Sequence, residues 1–258
     1  MTLISIFVGT LLAGVGSVWL AAMLAYALLS RFTQHLLSLA AGALLATAFM
    51  RLLPEAFEQS AVAGVSAQVL FAVLLMGLIF FFLLDKAELW HHGHEHGHIH
   101  PETTHDHHHT GGSWAVLLGD SVHAFGDGIL IAAAFIADTR LGVAAALAVM
   151  AHEVPHHVGD LVVLRQSLGN AKAALIKLSL SGSVTALGGL IGYLLVGALE
   201  EYLPLFLVVA ASSFIYVALA DLIPQLQKRL SPIQTAAQVA WLFTGIALVV
   251  ALGEWAQH

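Results

Sequence analysis

Cysteine is absent from this 258-residue chain, so neither a disulfide nor a thiolate metal site is open to it. Charge is scarce as well. Only 10% of residues are charged and 59% are hydrophobic, whereas soluble domains are about a quarter charged. This composition belongs to a membrane protein. Basic residues are few, nine against sixteen acidic, and the net charge of −7 provides no basic face for nucleic acid. Segments of about ten residues with alternating hydrophobicity, the mark of a membrane β-barrel, are also missing. What the chain does have is histidine: 16 residues, ten of them between His91 and His109.

An all-α polytopic fold follows. A span needs about 20 mostly apolar residues, and eight stretches qualify: 3–29, 35–57, 67–85, 114–137, 141–165, 173–198, 203–225 and 236–255. Backbone groups in lipid must be satisfied within the segment, which makes these helices. The first run begins at Leu3 with no basic residue before it and is followed by Arg31. It reads as a permanent span rather than a cleaved signal. The whole of 1–258 is expected to form one transmembrane domain.

Basic residues set the orientation. Arg31, Lys86, Arg165, Lys172, Lys177, Lys228 and Arg229 fall at the loops after spans 1, 3, 5 and 7, and only Arg51 and Arg140 lie toward the other side. Those four loops are therefore expected in the cytoplasm and both termini outside, in a plasma membrane (the inner membrane in a bacterium).

Two segments echo each other at an offset of 170: "AAGALLATAFMRLLPE" (40–55) and "AASSFIYVALADLIPQ" (210–225). They share Ala40/Ala210, Ala41/Ala211, Ala48/Ala218, Leu52/Leu222 and Pro54/Pro224. Five span steps separate them, so the copies are expected to run in opposite directions, as in the inverted repeats that build midplane sites in transporters.

Ionisable side chains inside spans are costly and by default mark function. In span 4, "GDSVHAFGDG" places His123 and Asp127 one turn apart, with Asp120 on the same stripe. In span 5, "AHEVPHHVGD" places His152 and His156 one turn apart, with Glu153 and Asp160 within about 100° of them. Imidazole and carboxylate suit a borderline divalent cation, and His123, Asp127, His152 and His156 are able to supply four donors. Asp120 and Asp160, nearer the helix ends, are candidates for supporting or entrance roles, or for simple capping.

His152-Glu153-Val154-Pro155-His156 also matches H-E-x-x-H, the signature of zinc metalloproteases. An intramembrane protease is thus the enzyme alternative, with Asp127 in "FGDG" as a third ligand. Three features weigh against it. Pro155 removes a backbone hydrogen bond between the two histidines and is expected to bend that helix. The Asp motif precedes H-E-x-x-H rather than following it. His123 also fills the position that an open catalytic zinc leaves to water.

With these motifs in place, the chain resembles the ZIP (Zrt/Irt-like) family of divalent-metal transporters. "HAFGDG" is similar to the family's His-Asn-Phe-x-Asp-Gly, "HEVPHHVGD" resembles its His-Glu-Val-Pro-His-Glu-Leu-Gly-Asp, and "LLPEA" at 52–56 fits its second helix. The resemblance implies a 3+2+3 arrangement with spans 4 and 5 holding the metal, uptake toward the cytoplasm, usually of Zn2+, and often a homodimer. It implies that His123, Asp127, His152 and His156 form the main site, and that Glu153 belongs to an adjacent second site sharing Asp127 and His156. Fe2+, Mn2+ and Cd2+ are further candidate cargoes, since geometry and supply rather than raw affinity select the metal.

The chain departs from the family pattern in places. Ala124 replaces an Asn ligand of the second site, and His157 and Gln225 stand where Glu is usual. Span 6 lacks a carboxylate, leaving Ser179, Ser181 and Ser183 as its polar candidates. Cation-diffusion exporters also carry a His-rich loop, but that class has six spans. The loop here, within 88–112, contains "ELWHHGHEHGHIHPETTHDHHHT". Its composition points to flexible metal binding on the cytoplasmic side without a packed fold.

Overall fold

The computed structural model describes residues 2–27, 29–93, 111–227 and 231–255. The described residues are all helix and short connections. Most of the His-rich loop (94–110) lies outside them, so the expectation for that segment finds no structural counterpart here.

Seven helical stretches are long and apolar enough to cross a membrane: Thr2–Leu24, Gln34–Ala63, Ala67–Leu84, Asp120–Ala137, Ala171–Ala198, Leu203–Ala220 and Pro232–Ala251. The remaining expected span, 141–165, lies inside a 30-residue helix, Thr139–Leu168. That helix is long enough but falls short on apolarity, because His152, Glu153, His156, His157 and Asp160 crowd its centre. It is bounded by clear local chemistry. The Asp138 carboxylate accepts from the Arg140 and Leu141 amides at 2.8 and 3.2 Å, an N-cap. At the other end Gly169 adopts φ 61°, a left-handed cap. The helix runs unbroken through Pro155, so the irregularity expected there does not interrupt it.

The echo between residues 40–55 and 210–225 has a structural counterpart. The first segment contains a widened π-helical turn at Ala48–Leu52 and the second contains one at Val217–Leu222; the two end at the matched Leu52 and Leu222 and differ by one residue at the start. In each, the proline (Pro54 or Pro224) opens the helix piece that follows. Proline cannot donate to the carbonyl four residues back, and a π turn just upstream accommodates its ring. The matched residues Ala40, Ala41, Ala48 and Leu52 are fully buried, as are Ala210, Ala211, Ala218 and Leu222, and so are Leu44 and Phe214, which share the offset without being identical. They belong to one core cluster. Small residues at these positions let helix backbones approach closely, the main source of affinity between helices in lipid.

The periphery is different. The Ala67–Leu84 and Pro232–Ala251 stretches are each only 11% buried and expose Phe71, Leu75, Met76, Phe80, Phe243 and Leu248. Such continuous apolar exposure suits acyl chains rather than water.

The Gly111–Ala137 helix packs against Val184–Ala198 through glycine. A Cβ on Gly128 would run into the Thr185 carbonyl, and one on Gly188 into the Phe125 carbonyl. This contact fixes the depth and rotation of the helix that carries His123 and Asp127.

Candidate metal centre

The site lies between the Gly111–Ala137 and Thr139–Leu168 helices, which follow one another through Asp138 and run antiparallel. His123 and Asp127, one turn apart, face His152 and Glu153 across the pair. His123 Nε2 is 3.7 Å from Asp127 Oδ2, 3.5 Å from Glu153 Oε1 and 3.4 Å from His152 Nε2. His152 Nε2 is 3.3 Å from Asp127 Oδ2 and 3.1 Å from Glu153 Oε1. All four donor atoms lie within 4.8 Å of one another.

These spacings have a chemical meaning. A tetrahedral zinc with bonds of about 2.0–2.2 Å separates its ligand atoms by roughly 3.3–3.5 Å. The cluster already has the edge lengths of such a polyhedron. Its electrostatics agree. Asp127, Glu153 and His152 are essentially buried, and Asp127 Oδ2 and Glu153 Oε1 have no hydrogen-bond partner. Buried carboxylates without donors are costly by several kcal/mol each unless a cation offsets them. His123 is about 31% exposed and forms the open side.

The histidine tautomer is set from behind. His152 Nδ1 lies 3.3 Å from the Ala148 carbonyl oxygen. A carbonyl only accepts, so Nδ1 donates, and in the neutral imidazole that binds metal the lone pair is left on Nε2, facing the other ligands.

The other expected residues sort themselves around this centre. His156 stands beside it, its ring centroid 6.3 Å from that of His123 and 6.2 Å from that of His152. It is not among the four whose donor atoms converge, and Glu153 occupies the place the resemblance implies for it. Asp120 joins a second group with the other Glu153 oxygen and His157. Asp160 is one turn further along, partly buried, and joins neither group. In span 6, Ser181 donates to the Leu117 carbonyl at 3.1 Å and pairs with Ser121, and Ser183 donates to Leu180. The Ser181 bonds tie its helix to Gly111–Ala137, whereas the Ser183 bond stays within its own segment.

Two residues of the region escaped sequence reasoning. His157 was visible only as a departure from a motif, although it lies one turn after Glu153. Ser17, whose Oγ is 3.1 Å from His157 Nδ1, carried no signal, because nothing in a sequence pairs residues 140 positions apart.

Comparison with known proteins identifies the family. The family model described as ZIP zinc transporter matches residues 1–113 and 88–253. Human zinc transporter ZIP4 is 38% identical over 142 residues, covering 55% of this chain and 21% of the relative. Human zinc transporter ZIP10 is 35% identical over 153 residues, covering 55% and 18%. Zinc transporter zipt-7.2 of Caenorhabditis elegans is 37% identical over 146 residues, covering 52% and 30%. The matches thus span less than a third of these relatives' own lengths. A buried His/Asp/Glu centre on paired helices, amid several apolar spans and under a family match covering nearly the whole chain, leaves one assignment: this is a multi-pass membrane protein that belongs to the ZIP zinc transporter family.

Proposed function

We propose that the chain carries a divalent cation, Zn2+ foremost, across a membrane into the cytoplasm by alternating access around the Asp127–Glu153 centre. The observation that carries this reading is the convergence of two orphaned, buried carboxylate oxygens with two imidazole nitrogens at tetrahedral edge lengths. Two nitrogens and two oxygens form a borderline-hard set that suits Zn2+ and admits Fe2+, Mn2+ and Cd2+.

In this reading the ion offsets the charge of Asp127 and Glu153, and so lowers the cost of closing the site from either side. The Thr139–Leu168 helix serves as an eighth span. Its polar centre is then the transport path, which explains why it is the one expected span short of apolarity. The matched π turns at Ala48–Leu52 and Val217–Leu222 support a 3+2+3 inverted arrangement around the two site helices. The basic-residue bias supports cytoplasmic loops after spans 1, 3, 5 and 7, in a plasma membrane. Exposed apolar faces on the peripheral helices leave room for a homodimer.

The protease alternative has less support. The three relatives compared above are named as zinc transporters, and His123 occupies the fourth position that a hydrolytic zinc needs for water. Radiolabelled zinc flux into proteoliposomes, with and without a pH gradient, tests the proposal. Saturable uptake above protein-free vesicles is expected; its absence under both conditions overturns the reading.

A further inference from the structure

We propose a second cation site, one helical turn from the first, held by Asp120, Glu153 and His157, as a stepping position for the transported ion. It rests on the transport reading above and adds to it a site built from residues outside the main four apart from the shared Glu153.

The geometry repeats that of the first centre. His157 Nε2 is 3.4 Å from Asp120 Oδ1 and 3.1 Å from Glu153 Oε2. Again these are the edge lengths of a zinc polyhedron, roughly 3.3–3.5 Å. His157 is fully buried, the Asp120 side chain is only 8% exposed, and the Glu153 side chain 4%. His157 Nε2 and Asp120 Oδ2 have no hydrogen-bond partner, although His157 Nε2 touches both carboxylates.

The reason lies on the far side of the ring. The Ser17 hydroxyl donates to the Gly14 carbonyl at 2.5 Å. Its oxygen, 3.1 Å from His157 Nδ1, is therefore left to accept, and Nδ1 carries the proton. The Nε2 lone pair then faces two carboxylate oxygens. In the neutral ring three acceptors thus point at one another inside the protein, which calls for a positive charge between them, a metal ion or, with no metal bound, a proton on Nε2. The hydrogen-bonded imidazole backed by a hydroxyl is the same outer support that orients metal-bound histidines generally. The Gly14 carbonyl lies in the π-helical turn Leu12–Gly16, a widened turn of the kind that recurs at functional sites.

Glu153 links the two centres, Oε1 in the first and Oε2 in the second. Ions held by the two oxygens of one carboxylate lie about 3.5–4 Å apart. Three carboxylates, Asp120, Asp127 and Glu153, face the pair, so both positions fill at saturating zinc. The second centre has only three protein ligands and an open fourth position, an arrangement suited to water exchange and release rather than storage. It is displaced toward the N-terminus of the Gly111–Ala137 helix and the C-terminus of the Thr139–Leu168 helix. These are the ends expected to face the cytoplasm, with Asp160 a further turn along.

The test is bound zinc per chain at saturation, by equilibrium dialysis of the purified full-length protein in detergent and metal analysis, so that the His-rich loop contributes equally to every variant. Asp120→Asn, which keeps shape, and His157→Asn are each expected to bind about one ion fewer than wild type, while His157→Glu, which restores a donor, retains it. His152→Ala serves as the reference for the first centre. Should Asp120→Asn and His157→Asn match wild type while His152→Ala loses an ion, the second site is overturned and the first stands. Should His152→Ala lose none, the reading of the first centre fails instead. If His157→Asn does not fold, Asp120→Asn decides alone.

Discussion

His152 and His157 contact opposite oxygens of one carboxylate: His152 Nε2 is 3.1 Å from Glu153 Oε1, and His157 Nε2 is 3.1 Å from Glu153 Oε2. Glu153 is thereby common to both proposed ion positions. Glu153→Gln keeps the volume but removes the charge and turns one oxygen into an amide donor. In either orientation one centre then has N–H groups aimed at its cation. Zinc flux in proteoliposomes is expected to fall about 10–100-fold without vanishing, since His123, Asp127 and His152 remain. The same substitution separates carrier from protease. Loss of a peptide-cleaving activity in the variant, with zinc flux undetectable even in the wild type, would reverse the assignment.

His123 and His152 contribute one nitrogen each to the first centre, and neither is replaceable by water without losing a fixed donor. His123→Ala and His152→Ala are each expected to reduce zinc uptake at least about 100-fold, beyond the range typical for outer-shell partners. His152 is fully buried and His123 is 31% exposed, so the His123 variant is the one expected to keep wild-type thermal stability. Uptake assays paired with size-exclusion profiles check this. Normal uptake by the folded His123 variant would remove it from the ligand set.

Two glycines in one motif are expected to behave oppositely. A Cβ at Gly126 meets no heavy atom within 4 Å, whereas one at Gly128 collides with the Thr185 carbonyl and the neighbouring Gly189 amide. Gly126→Ala should be neutral or stabilising by about 0.5–1 kcal/mol, the helix-interior preference for alanine. Gly128→Ala should destabilise, because backbone cannot yield as a side chain can, and Gly128→Val should do so more. Thermal melts of the three variants in one detergent decide the order.

How far the sequence reaches can be judged from the residues just discussed. Helix type, the span starts at Thr2 and Ala67, and the stops at Ala137 and Ala198 were legible, because lipid dictates run length and polar breaks stand out against it. The pairing of His123 with Asp127 followed from 3.6-residue periodicity alone. The offset-170 echo was legible too. Four of its five matched pairs are buried and only Pro54/Pro224 is exposed, since facing helices in a core need small or well-fitted side chains at corresponding depths. What periodicity cannot supply is the rotation of one helix against another. That rotation brings Glu153 rather than His156 into the first cluster. It also brings Asp120 and Ser17 to either side of His157. The apolar shortfall of Thr139–Leu168 is the converse lesson: His152, Glu153, His156, His157 and Asp160 leave that helix outside the seven stretches apolar enough to cross a membrane.

The His-rich segment supplies the last expectation. Deleting residues 91–109 touches neither site helix's ligands nor any apolar span, so zinc transport should remain qualitatively intact. Zinc binding should not. Solvated imidazoles titrate near about pH 6.5, and only the neutral form binds metal, so protons displace zinc as pH falls through that region. Metal held by the loop is therefore present at pH 7.5 and largely lost at pH 5.5. The deletion should remove several exchangeable zinc ions at the higher pH and few at the lower. Calorimetric titration of both proteins at both pH values measures the difference. Equal stoichiometry at pH 7.5 with and without the segment would make it a linker and nothing more.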